Sequence, residues 1–327
     1  MADIKRIAVL TSGGDAPGMN PTVRAVVRTA LAMGVEVYGV IGGYQGLMYG
    51  NLKKMDRHSV SNIIDRGGTV LKSARSDEFA TEAGMQKALK VCRENGIDGV
   101  VVIGGDGSFR GARDFSLLGV NCVGVSGTID NDIACSDYTT GYDTALNTVV
   151  EMADRIRDTM ESHDRCMVIE TMGRRAGHIA LNAGIAAGAV SILVPEIEFD
   201  VDKDVIARIK KAKEGGEGHF IVMVAEGCSE KFGGVASLAK YIEQETGIIS
   251  RSIVLGHIQR GGSPTLKDRV VGTRLGNYAA HLIINGGSNR VVTINQDVIS
   301  DMDIYEALKM TKTIDRELYK VAMEVTD

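Results

Sequence analysis

The chain has 327 residues, with 37 Lys and Arg against 42 Asp and Glu and a formal net charge of −5, which disfavours non-specific binding to nucleic acid. Its length can bury a sizeable core and suggests about two lobes, and no apolar run approaches the roughly 20 residues of a membrane span. The five cysteines (92, 122, 135, 166 and 228) are scattered, odd in number and without C-x-x-C spacing, which argues against a disulfide framework and a zinc site and for a reducing, cytoplasmic setting.

Residues 1–6 lead straight into the apolar run 7–10, so a first strand is expected there and no signal peptide. The strand ends in Thr11-Ser12-Gly13-Gly14-Asp15-Ala16-Pro17-Gly18, and Val23, Val26, Val27, Ala30 and Leu31 follow at helical spacing. A phosphate-binding loop competes here with a plain strand–helix turn. Residues 35–41 are expected as the next strand and 42–46 as a loop, where Tyr44 either flanks a base or packs. Arg75, after Gly67-Gly68-Thr69, is a candidate phosphate clamp or a solvated surface group. An amphipathic helix is expected over 83–95.

The stretch 100–132 carries most of the chemistry. Apolar runs 100–103 and 122–125 each end in a glycine-bearing acidic loop, and a helix-length segment, 108–118, lies between them. That is the order of a βαβ unit. In an open parallel sheet, ligands sit beyond the carboxyl ends of the strands. The loop Gly104-Gly105-Asp106-Gly107-Ser108 suits phosphate, because glycines admit close approach and the N–H groups at a helix start cradle oxygens. A bare carboxylate would repel phosphate, so Asp106 reads as a Mg²⁺ ligand; a turn with Ser108 as helix cap is the plainer alternative. The second loop offers Thr128, Asp130 and Asp132, again ordinary turn composition when taken alone. Together, the loops offer a metal–phosphate site and a carboxylate able to accept a hydroxyl proton, which phosphoryl transfer requires.

Beyond it, helices are expected over 144–160, 176–189, 202–213 and 235–245, in part of 265–285, and over 303–323. Strands are expected over 166–169, 192–194, 220–225, 253–255 and 290–294. The alternation gives an α/β fold with parallel sheets. The 40 glycines cluster at the ends of apolar runs, which points to tight ligand-facing loops. No G-x-x-x-x-G-K-[ST], no G-x-G-x-x-G after a strand and no protein-kinase signature is present.

The motifs TSGGDAPGMN (11–20), GGDGS (104–108), GTIDND (127–132), MGR (172–174) and RSIVLGHIQRGGSP (251–264) stand in the order of the bacterial-type ATP-dependent 6-phosphofructokinase family, which the chain resembles over nearly its whole length. The resemblance implies two Rossmann-like lobes with mainly parallel sheets sandwiched by helices. It divides them as 1–140 with 254–304, binding ATP, and 141–253 with 305–327, binding fructose 6-phosphate. It implies Asp130 as the base for the sugar 1-hydroxyl, supported by Thr128 and Asp132, and Arg174 as the group that offsets charge on the transferred phosphoryl. Gly14, Tyr44, Arg75, Ser76, Gly105, Gly107 and Ser108 would bind ATP, with Asp106 holding Mg²⁺. Met172, Gly173, Glu226, His257 and Arg260 would hold fructose 6-phosphate, and Arg165 and Arg251 would reach its 6-phosphate from a neighbouring subunit of a homotetramer.

Two departures from the family pattern stand out. Ser126 occupies a position where proline is common. In the expected effector pocket (Arg24, Arg28, Arg57, Arg157, Gly188, His219), Val190 replaces an acidic residue and GGEG (215–218) a lysine-rich stretch, so control by ADP and phosphoenolpyruvate is expected to be altered. A pyrophosphate-dependent phosphofructokinase is the main rival. That subgroup carries aspartate and lysine where this chain has Gly107 and Gly127, and glycine at both is expected to leave room for a nucleotide. A lipid or NAD kinase would not explain GTIDND together with GHIQRGGSP, and a non-catalytic sugar-phosphate sensor would not explain the retained Asp106, Asp130 and Arg174.

Overall fold

The structure, a computed structural model, describes residues 4–326; the outermost limits of the expected lobes, 1–3 and 327, lie outside the described residues. The chain divides into two units. The first comprises 4–129, 133–144 and 260–312, and the second 130–132, 145–259 and 313–326.

The first unit is built on β1 (Arg6–Thr11), α1 (Met19–Ala32), β2 (Glu36–Val40), α2 (Gly43–Met48), β3 (Leu52–Met55), α3 (Glu82–Glu94), β4 (Gly99–Gly104), α4 (Asp106–Ser116) and β5 (Asn121–Ser126). Its sheet runs β3-β2-β1-β4-β5 and continues through two later strands described below. β1, β2, β4 and β5 are mutually parallel, and β3 is antiparallel to β2. All six residues of β4 are buried, as expected of a β-branched run covered on both faces. One core cluster packs Leu10 and Val102 of the sheet against Leu47, Phe79, Phe109 and Phe115.

The second unit contains most of α5 (Tyr142–Glu161), then β6 (Cys166–Thr171), α6 (His178–Ala186), β7 (Ser191–Leu193), a π-helical turn Asp202–Ile206 that leads into α7 (Ala207–Glu214), β8 (Phe220–Ala225), α8 (Val235–Thr246) and β9 (Ser250–Val254). Its four strands are parallel in the order β7-β8-β6-β9. Its core gathers Val168, Phe220, Val222, Val224, Leu238 and Ile242.

The chain then returns to the first unit with α9 (Leu266–Ile284), β10 (Arg290–Asn295), which is parallel to β5, and β11 (Val298–Asp303), which is antiparallel to β10. A short α10 (Ile304–Ala307) follows, and α11 (Arg316–Glu324) belongs to the second unit.

Several expectations from the sequence need correction. Residues 42–46, expected as a loop, enter α2. Residues 303–323, expected as one helix, instead form the end of β11 and two helices. The break has a local cause: Asp303 caps Tyr305 and Glu306 N–H groups, and Asp315 caps those of Glu317 and Leu318, so each aspartate starts a helix of its own. Conversely, 265–285 is helical almost throughout. The short antiparallel edge strands β3 and β11 were not anticipated.

Candidate active site

In the first unit, β1 and β4 lie side by side, and the strand order reverses there, since β2 lies beyond β1 and β5 beyond β4. This is the switch point at which open α/β sheets bind ligands. The loops after both strands, 12–18 and 105, therefore leave neighbouring carboxyl ends, and Ser12 N–H donates to the Ile103 carbonyl at 2.9 Å. Gly104 shows how closely they pack: a Cβ there would lie 2.3 Å from Ser108 Oγ and 2.6 Å from the Ser12 carbonyl.

Asp106 opens α4 with Gly105 before it, so the free N–H groups of the first turn are available to an anion. Its carboxylate pairs with Arg110 one turn on, at 2.9 Å. Among the described residues, no group of three or more His, Cys, Asp or Glu suits a metal ion. A cation at Asp106 would draw its other ligands from phosphate and water, a mode that Mg²⁺ favours and that a lone carboxylate fits. A Cβ on Gly107 would meet nothing within 4 Å, which matches the expected open space. Gly127 differs: a Cβ there would come within 3.0 Å of Ile103 and 3.2 Å of Met19. Its glycine answers to core packing rather than to room for a nucleotide, which corrects that expectation.

Tyr44 also needs correction as a base-flanking residue. Its ring is buried and stacked on Phe79 at 4.0 Å, and its hydroxyl donates to the Ser108 carbonyl at 2.7 Å. Burial pushes the phenol well above its ordinary pKa. The residue supports the first turn of α4 from behind.

Arg75 is exposed and Ser76 half-buried. Their segment is held to the first loop: Ser73 Oγ donates to the Gly13 carbonyl at 2.6 Å, and Thr11 Oγ1 to the Lys72 carbonyl at 2.8 Å. Asn20 secures the same segment through the Arg66 and Gly67 carbonyls and the Val70 N–H. Arg260, expected on the sugar phosphate, lies across Gly14 and donates to the Asp15 carbonyl at 3.0 Å. It thus borders the first glycine loop in the first unit.

Thr128 and Asp130 are buried, at 8% and 3% exposure, and Asp132 is half-buried. Asn131 between the aspartates has φ +51°, a left-handed conformation that asparagine tolerates better than most residues. Thr139 Oγ1 donates to the Thr128 carbonyl at 2.7 Å, fixing the start of this loop.

In the second unit, three adjacent carboxyl ends carry the expected sugar-phosphate residues. Met172–Gly173–Arg174 follow β6, Glu226 follows β8, and His257 follows β9. Gly173 has φ +140°, and a Cβ on it would lie 2.4 Å from the Ala176 carbonyl, so only glycine fits this turn. Arg174 is exposed with φ +55°. Glu226 Oε1 accepts from the N–H groups of both Gly173 and Arg174, so that oxygen is committed to the loop. Gln259, fully buried, joins two of the ends: it accepts from Met172 N–H at 3.2 Å and donates to the Gly256 carbonyl at 3.0 Å. Ser73 and Asn20 were not singled out as site residues in the sequence. Their signal is only a polar residue inside a recognised motif or beside a glycine pair.

Arg165 precedes β6, and its buried Nε has no hydrogen-bond partner among the described residues. Arg251 lies on the exposed edge strand β9 and pairs with Glu243 at 3.1 Å.

Of the expected effector residues, Arg24 and Arg28 lie one turn apart on α1. Desolvation, then the neighbouring Arg28 charge, holds Arg24 below its ordinary pKa. Arg57 is exposed. In the second unit, Arg157, Gly188 and His219 line a cavity of about 660 Å³ together with Val190, Glu217 and Val325. Arg157 donates to the Ala187 carbonyl, and His219 Nε2 lies 3.6 Å from Glu161. The Val190 carbonyl accepts from Arg208 Nε at 3.1 Å.

The phosphofructokinase family model matches residues 6–283. An ATP-dependent 6-phosphofructokinase of Clostridium botulinum is 54% identical over 319 residues, covering 98% of each chain. The structure of phosphofructokinase from Saccharomyces cerevisiae superposes with a TM-score of 0.88 at 36% identity, covering 99% of this chain and 47% of the yeast chain. A pyrophosphate-dependent phosphofructokinase from Marinobacter aquaeolei has a TM-score of 0.86 at 23% identity over 99% of this chain and 91% of its own, a likeness of fold alone. With its two glycine–acid loops at neighbouring strand ends and near end-to-end similarity to these proteins, the chain belongs to the phosphofructokinase family.

Proposed function

We propose that the protein is an ATP-dependent 6-phosphofructokinase, transferring the γ-phosphoryl group of ATP to the 1-hydroxyl of fructose 6-phosphate. One observation carries this reading within the family: Gly107, beside Asp106 at the start of α4, opens onto space that a side chain would occupy. That space suits a nucleotide better than pyrophosphate alone.

In this reading the first unit binds ATP and the second binds the sugar phosphate. The N–H groups of the first turn of α4 and the Arg75 guanidinium hold phosphate oxygens. Mg²⁺ bound at Asp106 would neutralise charge on the phosphates. Asp130 takes the proton of the 1-hydroxyl as that oxygen bonds to the γ-phosphorus, while the bond to the β–γ bridging oxygen breaks and ADP leaves. Arg174 offsets charge on the group in transit, and Met172, Gly173, Glu226 and His257 shape the sugar side. Such a reaction depends mainly on positioning and charge stabilisation. Arg165 and Arg251 bind the sugar 6-phosphate from a neighbouring subunit, and the assembly is a cytoplasmic homotetramer. The buried Arg165 Nε and the exposed β9 edge support that assignment. The effector response is weakened, because Val190 offers no metal ligand and Glu217 repels phosphate.

The test is direct. Purified protein with fructose 6-phosphate should form ADP and fructose 1,6-bisphosphate when given ATP, and turn over far more slowly with pyrophosphate. Pyrophosphate turnover matching that with ATP would overturn the reading.

A further inference from the structure

Asp268, in the first turn of α9, is fully buried, yet its carboxylate has no lysine or arginine within salt-bridge distance among the described residues. A buried carboxylate is stable only if hydrogen bonds satisfy it. Here they all come from one short segment. Oδ1 accepts from the Tyr138 hydroxyl at 2.5 Å and the Gly141 N–H at 2.6 Å. Oδ2 accepts from the Thr144 N–H at 2.9 Å and from the Thr144 hydroxyl. Burial raises the Asp268 carboxyl above its usual range, while the Thr144 and Tyr138 bonds pull the other way. Thr265, the cap of α9, closes the network by donating its N–H to Thr144 Oγ1 at 3.1 Å and its hydroxyl to Asp143 at 2.7 Å.

The segment that Asp268 holds braces two motifs. Thr139 Oγ1 donates to the Thr128 carbonyl, and Thr140 bridges Gly127. Gly141 packs so closely on Ala16 that a Cβ would lie 2.7 Å from the alanine methyl, and Thr140 lies equally tight on Gly18. One buried carboxylate therefore ties the start of α9, the first glycine loop and the backbone of Gly127 and Thr128 into one body. Asp130 follows Thr128 by two residues.

We infer that Asp268 is a positioning residue for phosphoryl transfer: through the 138–144 segment and the Thr139 hydroxyl it sets the backbone from which Thr128 and Asp130 project. This rests on the reading of Asp130 as the base. A carboxylate is needed because four donors converge on it, and an amide of the same shape turns an N–H₂ toward two of them.

The experiment uses three variants of the full chain. Asp268→Asn should lower kcat about 10- to 100-fold, since small misplacement of a reacting group is enough for such a loss. The KM for fructose 6-phosphate should change less than about threefold, the signature of an effect on the transition state. Thr139→Val removes the Oγ1 link to Thr128 without touching the Asp268 carboxylate and should reproduce most of the kcat loss. The double variant should be no slower than the worse single one, because both act along one path. A merely structural Asp268 would lower Tm while leaving kcat per folded molecule intact, measured well below each Tm. A Thr139→Val protein with kcat within about twofold of the unsubstituted chain would overturn the inference, even if Asp268→Asn failed to fold. Asp130→Ser separates the two readings. Full activity in that variant would remove the base assignment itself, whereas its inactivation beside a fully active Thr139→Val would remove only the role of Asp268.

Discussion

Glu226 holds Arg174 in its left-handed turn: one carboxylate oxygen accepts the Arg174 N–H at 2.5 Å and the Gly173 N–H at 3.0 Å. A non-glycine residue in that conformation is disfavoured by roughly 1–2 kcal/mol, so something must hold it there. Glu226→Ala should lower kcat/KM about 10- to 100-fold, in line with hydrogen bonds to a charged acceptor contributing about 1.5–3 kcal/mol. Glu226→Gln keeps one oxygen able to accept both bonds and should lose much less. Steady-state kinetics on both variants checks this, and equal losses would mean that the negative charge matters more than the loop.

Asp130→Ser should lower kcat by about 10²–10⁴-fold, the usual contribution of a positioned base. Fructose 6-phosphate binding, followed by calorimetry, should weaken little. A fall in kcat under about tenfold would remove Asp130 from that role.

The glycines of the phosphate loop should separate folding from donor choice. Gly104→Ala places a methyl group 2.6 Å from the Ser12 carbonyl and should destabilise the protein by about 1–3 kcal/mol, visible as a lowered Tm. A Cβ on Gly107 meets nothing within 4 Å, so Gly107→Asp should leave Tm little changed, while turnover with ATP falls because the carboxylate would stand beside the phosphates and repel them. Unchanged ATP kinetics in Gly107→Asp would show that this space is not used.

Arg251 should act across a subunit boundary. Arg251→Ser should raise the KM for fructose 6-phosphate strongly and lower kcat less than Asp130→Ser does, because a remote phosphate contact mainly supplies binding energy. Dissociated and reassembled with Asp130→Ser chains, it should yield hybrid sites with both residues intact, and activity at low substrate should return. Hybrids showing only the average of their parents would place each site within one chain. The pairing of Arg251 with Glu243 adds a control: Glu243→Gln should leave or improve substrate affinity.

Fructose 6-phosphate saturation curves should shift little on adding ADP or phosphoenolpyruvate. Val190 is buried, carries no side-chain metal ligand and has its carbonyl engaged by Arg208, while Arg157 already commits one N–H to the Ala187 carbonyl. A large change in half-saturation with either compound would show that the basic residues Arg24, Arg28, Arg57 and Arg157 still support a response.

The motifs were legible because their chemistry is local. A glycine–acid loop at the end of a β-branched run needs only its neighbours to form, and the period of the apolar residues marks the strands and helices around it. The strands of residues 7–10, 100–103 and 220–225 all fall where that pattern places them. The sequence reading failed where distant groups decide a residue's role. Tyr44 reads equally as a base platform or as core, and only Phe79 stacked on its ring and the Ser108 carbonyl at its hydroxyl settle which. Gly127 looks like room for a ligand until Ile103 and Met19 are seen to fill that direction. Asp268 carries no signal at all, since an aspartate near a helix start is ordinary. Its weight comes from four donors more than 120 residues away in the chain, brought together by burial that makes an unsatisfied carboxylate too costly to keep.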